Sequence, residues 1–176
     1  MKKLLFLFTY HLILLSAISQ NCFDYYFLQS SLRIDFICAG TKDSHEFILH
    51  QVWHEPFWGG PKKNTIDSFA YGSICFEMFD SASNVRIYRH YFSSLFDEWQ
   101  TTAEATKEKR SFPISICTPF PLNTINIVIS KRNKEERFTE CYSTTINPNN
   151  YFIAHLGKQK YKTELLHRGG TPDTCL

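Results

Sequence analysis

The sequence predicts a mainly β protein, an antiparallel β-sandwich of seven or eight strands with one short helix. Short runs in which apolar and polar residues alternate with a period of two are typical of half-buried strands, and they recur along the chain. Polar, turn-forming segments separate these runs. Only one stretch is rich in alanine, glutamate and lysine, so the pattern does not favour an alternating α/β fold.

The first two predicted strands precede a long loop. Apolar and charged residues alternate in residues 32–37, as expected of a half-buried strand. Its predicted inner face comprises Leu32, Ile34 and Phe36. Residues 46–52 form the second predicted strand. From 53 to 67 the alternation is lost and glycines, prolines and lysines accumulate, which predicts a surface loop.

Two hairpins are predicted in the centre of the chain. The runs 71–80 and 85–92 are rich in aromatic and β-branched residues, and a four-residue polar segment of serines, alanine and asparagine joins them. The runs 125–130 and 138–146 also alternate, and a highly charged segment lies between them. Each pair therefore predicts two adjacent antiparallel strands.

The predicted helix covers residues 103–109, where alanine, glutamate and lysine dominate. Thr101 or Thr102 is the predicted N-cap, because a hydroxyl can accept a hydrogen bond from a free backbone N–H of the first turn. Residues 110–117 and 151–155 are predicted as further strands. These complete the seven or eight strands of the sandwich.

The first 19 residues have the layout of a secretory signal peptide. Two lysines are followed by an apolar run at 4–15 and then by small residues, and cleavage is predicted after Ser19. The alternative is a membrane anchor, but the run is shorter than the roughly 20 residues that span a bilayer. We therefore expect an exported chain without a stable membrane anchor, located in the periplasm, at the cell surface or outside the cell.

Charge and cysteine content limit the partners and the covalent framework. Without Lys2 and Lys3, the chain has equal numbers of basic and acidic residues, so a nucleic-acid partner is not expected. The six cysteines of an exported chain allow three disulfides in any of 15 pairings, which the sequence does not decide. The alternative is that several are buried, unpaired thiols.

No catalytic or metal-binding signature is found in this chain. His50 and His54 are four residues apart, but Gln51 stands where the H-E-x-x-H motif needs glutamate and Trp53 stands where the inverted motif needs it. Nucleophile-elbow and phosphate-loop patterns are also missing. We therefore predict no catalytic residues, no metal ligands and no cofactor for this chain.

Three aromatic residues are candidates for a contact surface. Trp53, Phe57 and Trp58 lie in the predicted loop rich in glycine and proline, where rigid aromatic side chains often mark a binding surface. Most of the other aromatic residues are expected to pack in the core or to hold loops against it.

An ordered set of segments resembles the N-terminal domain of the IgA-peptidase family of zinc metallopeptidases, metallopeptidase family 64. The resemblance covers roughly residues 30 to 155 and is most specific in the segment SSLFDEWQTTAEA. The segments are 32–36 (LRIDF), 58–64 (WGGPKKN), 80–84 (DSASN) followed by 87–88 (IY), 93–105 (SSLFDEWQTTAEA), 110–112 (RSF), 119–121 (PFP) and 147–151 (NPNNY), with a weaker continuation at 167–175 (HRGGTPDTC).

This resemblance implies a signal peptide at 1–19, a β-sandwich N-terminal domain at 20–157 and a linker at 158–176 toward a zinc peptidase domain. That catalytic domain is expected to begin beyond Leu176, so its zinc ligands have no counterpart here. The implied function is a non-catalytic accessory domain that docks a metallopeptidase catalytic domain, in cis or in trans, or positions a protein or glycoprotein substrate. The alternative is a free-standing secreted module that binds a glycoprotein, a glycan or a surface protein.

Overall fold

The computed structural model describes residues 22–158 together with positions 164, 166 and 169. The predicted signal peptide and its cleavage after Ser19 lie outside the described residues, as does most of the predicted linker at 158–176.

Eight strands and two short α-helices make up the described chain. In chain order they are α1 (Cys22–Tyr26), β1 (Phe27–Thr41), β2 (Ser44–Glu55), β3 (Ile74–Asp80), β4 (Arg86–Phe92), α2 (Leu95–Gln100), a 3-10 turn (Glu104–Thr106), β5 (Arg110–Pro121), β6 (Ile125–Arg132), β7 (Phe138–Ile146) and β8 (Ala154–His155).

The strands form two four-stranded sheets with the orders β5-β1-β2-β8 and β4-β3-β6-β7. All pairings are antiparallel except that between β2 and β8, which is parallel. The predicted fold class, an antiparallel β-sandwich of seven or eight strands, is confirmed. Both predicted hairpins are present, as β3–β4 and β6–β7.

The core lies between the two sheets and is filled by alternate residues of each strand. The predicted inner face of the first strand is confirmed, since its three residues are fully buried. The second sheet contributes Ile74, Phe76, Met78, Ile125, Ile127 and Ile129. Burying each such side chain contributes about 1.5–3 kcal/mol, so the period-two pattern is the main source of stability.

The turn of the β3–β4 hairpin is held by the carboxylate of Asp80. It accepts hydrogen bonds from the backbone N–H of Ser83 at 2.8 Å and from its hydroxyl at 2.6 Å. Asn84 adopts a left-handed conformation with φ of 55°, which asparagine tolerates better than most residues. The hydrogen bonds from Ser83 lower the pKa of Asp80, because they stabilise its ionised form.

The predicted helix at 103–109 is wrong, because the α-helix lies earlier, at Leu95–Gln100. Ser94 and Asp97 form a capping box that satisfies free N–H groups at its start. The predicted caps Thr101 and Thr102 instead donate their hydroxyls to carbonyls of the preceding turn and so close this helix. Within 103–109 only the 3-10 turn is formed.

The predicted boundary between the second strand and the long loop is also wrong. Strand β2 continues to Glu55, because Trp53 pairs with Arg33 of β1 on one side and with Ala154 of β8 on the other. The loop therefore begins at Pro56 and ends at Ser73.

The four cysteines described with side chains, Cys38, Cys75, Cys117 and Cys141, are free thiols. Burial raises the pKa of Cys38 to about 12 and that of Cys75 to about 11. Thiols with these pKa values remain protonated and unreactive at neutral pH.

Candidate docking surface

Trp53 lies on the outer face of the first sheet, where the neighbouring side chains of β1 already contact its indole ring. The guanidinium of Arg33 lies 5.0 Å from the centre of its ring, and its indole N–H donates to Asp35 at 2.8 Å. The side chain is only partly exposed. Trp53 therefore braces the sheet and offers little free surface.

The carboxylate of Asp35 organises this outer face. It accepts hydrogen bonds from Trp53, Ser115 and Arg33, and Arg33 also pairs with Glu55 at 2.7 Å. Burial acts to raise the pKa of Asp35, but the bonds from Ser115, Trp53 and Arg33 outweigh it and the pKa is lowered. The network joins β5, β1 and β2.

Trp58 folds back onto the sandwich. Its backbone N–H donates to Gln29 at 3.1 Å and its indole N–H donates to the carbonyl of Pro61 at 3.1 Å. A Cβ on Gly60 would lie 2.3 Å from the Trp58 ring, so this close approach requires glycine. The half-buried ring thus fixes the start of the long loop.

Phe57 is the only one of the three predicted contact residues whose side chain is mainly exposed, at 65%. Its carbonyl accepts a hydrogen bond from the hydroxyl of Ser31 at 2.5 Å, which fixes the backbone while the ring projects outward. The ammonium of Lys158 lies 5.2 Å from the centre of the ring. The three residues therefore do not form one exposed surface.

Two further exposed aromatic residues, which the sequence pattern did not single out, precede β8. Tyr151 is 85% exposed and Phe152 is 70% exposed, and their ring centres are 4.1 Å apart. Their aromatic character suggested a strand, although the turn-forming segment 147–150 just before them was the signal for a turn. The structure places them in a second turn, closed by a hydrogen bond from the N–H of Ile153 to the carbonyl of Asn150, and only Ala154 and His155 are in the strand.

Phe57 lies at the point where the described chain leaves the sandwich, whereas Tyr151 and Phe152 lie at the start of β8, where the carbonyl of Phe152 accepts a hydrogen bond from Gln51. Strand β8 lies on β2, and the N–H of Leu156 donates to the carbonyl of His54 at 2.9 Å. An opening of about 320 Å³ separates the segment Glu55 to Phe57 from Leu156 and Gly157. We call the set Phe57, Tyr151, Phe152 and Leu156 the β8 surface.

A pair of histidines holds β8 in place. The Nδ1 atoms of His54 and His155 are 3.2 Å apart, and Nε2 of His54 is 2.9 Å from the hydroxyl of Ser30. The His54 ring also packs on Phe120, with ring centres 3.9 Å apart. Burial, and secondly the neighbouring His155, lower the pKa of His54.

We expect the stability of the chain to fall as the pH drops below 6.5. Because the pKa of His54 is lower in the folded chain, the unfolded chain takes up this proton first, so the stabilisation is complete above about 6.5 and is lost toward acidic pH. Thermal unfolding at pH 7.5 and 5.5 measures the loss.

The matched variants for this test are His54→Gln and His50→Gln. The glutamine at 54 does not titrate, so part of the decline between pH 7.5 and 5.5 should disappear. His50 is exposed and is the unpaired residue of a bulge in β2, so its replacement should keep the native decline. Equal declines in the native chain and the His54 variant would contradict the prediction.

A larger opening of about 520 Å³ lies between the turn of β1–β2 and the hairpin of β6–β7. Its lining includes Lys42, Gln100, Lys131, Arg132, Lys134 and Glu140. The most buried of its cations, Lys131, is paired with Asp97 at 2.7 Å. The best buried cation of this opening is therefore already neutralised by a carboxylate of the chain.

Within the part of the chain that the structure describes, no three histidine, cysteine, aspartate or glutamate residues are grouped so that they could hold a metal ion. The described residues thus do not fit a zinc site. None of the described helices is long and apolar enough to cross a membrane.

Comparison with known families gives one match. The family model described as "Peptidase M64 N-terminus" matches residues 22–143, which is more than half of the chain. This match confirms the family that the ordered sequence segments predict. No curated protein matches the chain.

Proposed function

Because this chain belongs to the peptidase M64 family, whose N-terminal domain it carries, we propose that residues 20–157 are a non-catalytic accessory domain of an exported zinc metallopeptidase. The domain docks the catalytic domain, in cis or in trans, and so positions a protein or glycoprotein substrate. Zinc and the catalytic residues belong to the catalytic domain.

The observation that carries this proposal is the exposure of three aromatic rings around β8. Large apolar side chains in solvent contribute nothing to the stability of the isolated sandwich, whereas buried aromatic rings dominate the energetics of many interfaces. Phe57, Tyr151 and Phe152 are each at least 65% exposed. A partner that covers these three rings stabilises the complex by burying their apolar surface.

The position of these rings supports a domain that follows in the same chain. Gly157 and Lys158 run beside Phe57 directly after β8. A domain attached shortly after this point is held at high effective concentration near the β8 surface. Even modest complementarity between that domain and the β8 surface then suffices for docking.

We expect the chain to bind a separately produced M64 catalytic domain through the β8 surface. The triple variant Phe57→Ala, Tyr151→Ala, Phe152→Ala should bind at least about tenfold more weakly, because truncating a central interface aromatic commonly costs more than 1 kcal/mol. Biolayer interferometry with the immobilised catalytic domain measures the dissociation constant, and circular dichroism verifies the fold of each variant.

The control is Leu95→Ala, which removes an exposed apolar side chain at the start of α2. Helix α2 ends beside the β1–β2 turn, whereas β8 pairs with the opposite end of β2, so binding should be unchanged. Equal affinity of the native chain and the triple variant would exclude the β8 surface. Failure of the native chain to bind would refute the docking role itself.

A further inference from the structure

Two histidine side chains meet where β8 pairs with β2. His54 and His155 are direct neighbours in this parallel pairing, and their Nδ1 atoms are 3.2 Å apart. Their ring centres are 5.1 Å apart. Because the ring centres are farther apart than the nitrogens, each Nδ1 lies on the edge of its ring that faces the other ring. The two nitrogens therefore border the same small volume between the rings.

The spacing of these nitrogens suits a metal ion as well as a hydrogen bond. Imidazole nitrogens lie about 2.0–2.1 Å from a bound zinc ion, and bonds to other divalent first-row metals are of similar length. Two such ligands are about 2.8–3.4 Å apart when the angle at the ion lies between about 90° and the tetrahedral angle. The separation of the two Nδ1 atoms, 3.2 Å, is within this range. An ion can therefore take the place of the proton that the two nitrogens share.

The surroundings of His54 hold its ring in the orientation that such an ion needs. Nε2 of His54 is 2.9 Å from the hydroxyl of Ser30, and the His54 ring packs on Phe120 with ring centres 3.9 Å apart. Histidine ligands in metal sites commonly donate their second ring N–H to a polar partner, which fixes the ring and its tautomer. When Nδ1 binds an ion, the ring proton resides on Nε2, where the Ser30 oxygen can accept it. The second ring, that of His155, is exposed, so water can accept the proton on its Nε2.

The ligand atoms select the class of ion. Imidazole nitrogens suit Cu²⁺ and Ni²⁺, whereas Ca²⁺ and Mg²⁺ prefer oxygen ligands. Within the described residues, no group of three histidine, cysteine or acidic side chains is formed, so water fills the remaining positions around the ion. A mixed set of nitrogen and oxygen ligands is typical of Cu²⁺ and Ni²⁺, while a structural zinc ion usually has four protein ligands.

We propose that His54 and His155 form a two-histidine site for Cu²⁺ or Ni²⁺ that fastens β8 to β2. Strand β8 has only two residues, so its backbone pairing with β2 is short. An ion bound to one side chain from each strand adds a second link between them. The two ligands are 101 positions apart in the chain, so no local sequence motif indicates the site. The site goes beyond the docking role and does not depend on it.

The alternative is that the two imidazoles only form a hydrogen bond with each other. The chain would then bind a metal ion no better than a single surface histidine does. His50 provides the comparison, because it is an exposed histidine of the same strand. Four residues of a strand span roughly 13 Å, so His50 is too far along β2 to share an ion with His54.

The test is isothermal titration calorimetry of the purified chain, without a polyhistidine tag, with Ni²⁺ at pH 7.5. Nickel is the probe because Cu²⁺ would oxidise the free thiols. We expect one Ni²⁺ per chain, and His54→Ala and His155→Ala should each weaken binding at least about tenfold, because one imidazole cannot chelate the ion. Bound Ni²⁺ should also slow hydrogen exchange of the Leu156 N–H, which donates to the carbonyl of His54.

The control His50→Ala should keep both the native affinity and the slower exchange. Because His155 is exposed, His155→Ala should leave the fold intact, which circular dichroism verifies. The proposal is overturned if the native chain does not bind Ni²⁺, or if His155→Ala binds it as tightly as the native chain does. Binding that leaves the exchange of Leu156 unchanged would place the ion elsewhere and would also overturn it.

Discussion

Replacing Lys131 with methionine is expected to lower the free energy of unfolding by about 3–5 kcal/mol, the usual cost of removing one partner from a buried ion pair. The side chains of Lys131 and Asp97 are only 14% and 15% exposed, so solvent screens this pair poorly. Their charged atoms are 2.7 Å apart. In the variant, Asp97 remains buried without its counter-charge.

The effect should be large because this ion pair connects both sheets. Lys131 belongs to β6 and also donates to the side chain of Gln100 at 2.6 Å. The amide of Gln100 in turn donates to the carbonyl of Thr41 at 2.7 Å, at the end of β1. Asp97 accepts from Ser73 and caps α2 together with Ser94. One substitution therefore disturbs the helix cap and the link between the sheets.

Urea unfolding followed by circular dichroism measures the change. The control Lys134→Met removes an exposed lysine of the same hairpin and should change stability by no more than about 0.5 kcal/mol. The double variant Lys131→Met, Asp97→Asn should lose less than the sum of the single variants, because no charge is left unpaired. A loss below about 1 kcal/mol for Lys131→Met would argue against a structural ion pair.

The strands were predictable because burial of only one face of each strand imposes a period of two on the sequence. This signal fails where buried residues are polar. Ser31 is buried in β1 because its hydroxyl donates to the carbonyl of Phe57, a contact between residues 26 positions apart. No local pattern predicts such a contact, so the first strand was predicted to start too late.

The helix was misplaced because composition competes with packing. Residues 103–109 have better helix formers, but the helix forms where Phe96 and Trp99, three residues apart, are both buried on the sandwich. Its capping box at Ser94 and Asp97 was the local signal that could have located it. A six-residue helix depends on such contacts more than on propensity.

The prediction of the contact surface was limited in a similar way, because exposure depends on tertiary contacts. Composition identifies aromatic residues in a loop rich in glycine, but only tertiary structure decides which of them face solvent. The ring of Trp58 is partly covered because the loop folds back at Gly60. The ring of Trp53 is contacted by the guanidinium of Arg33 in the neighbouring strand. Of these three residues only Phe57 remains mainly exposed, and the residues beside it, Leu156 and Gly157, are about 100 residues away in sequence.

Phe96 is the residue through which α2 is attached to the core. It is fully buried, and its ring centre is 5.7 Å from that of Trp99 and 6.0 Å from that of Phe112 in β5. The ammonium of Lys131 lies 5.1 Å from its ring centre, close enough for a cation–π interaction. Phe96 therefore supports both the apolar contact of the helix and the buried ion pair.

We expect Phe96→Ala to lower the free energy of unfolding by about 3–5 kcal/mol, because it leaves a cavity between α2, β5 and β6 that the rigid sandwich cannot close. Urea unfolding measures the loss, and Leu95→Ala, at the exposed neighbouring position, should cost no more than about 0.5 kcal/mol. The losses from Phe96→Ala and Lys131→Met should not be additive, since the two side chains are in contact. Additive losses would mean that the helix and the ion pair stabilise the sandwich independently.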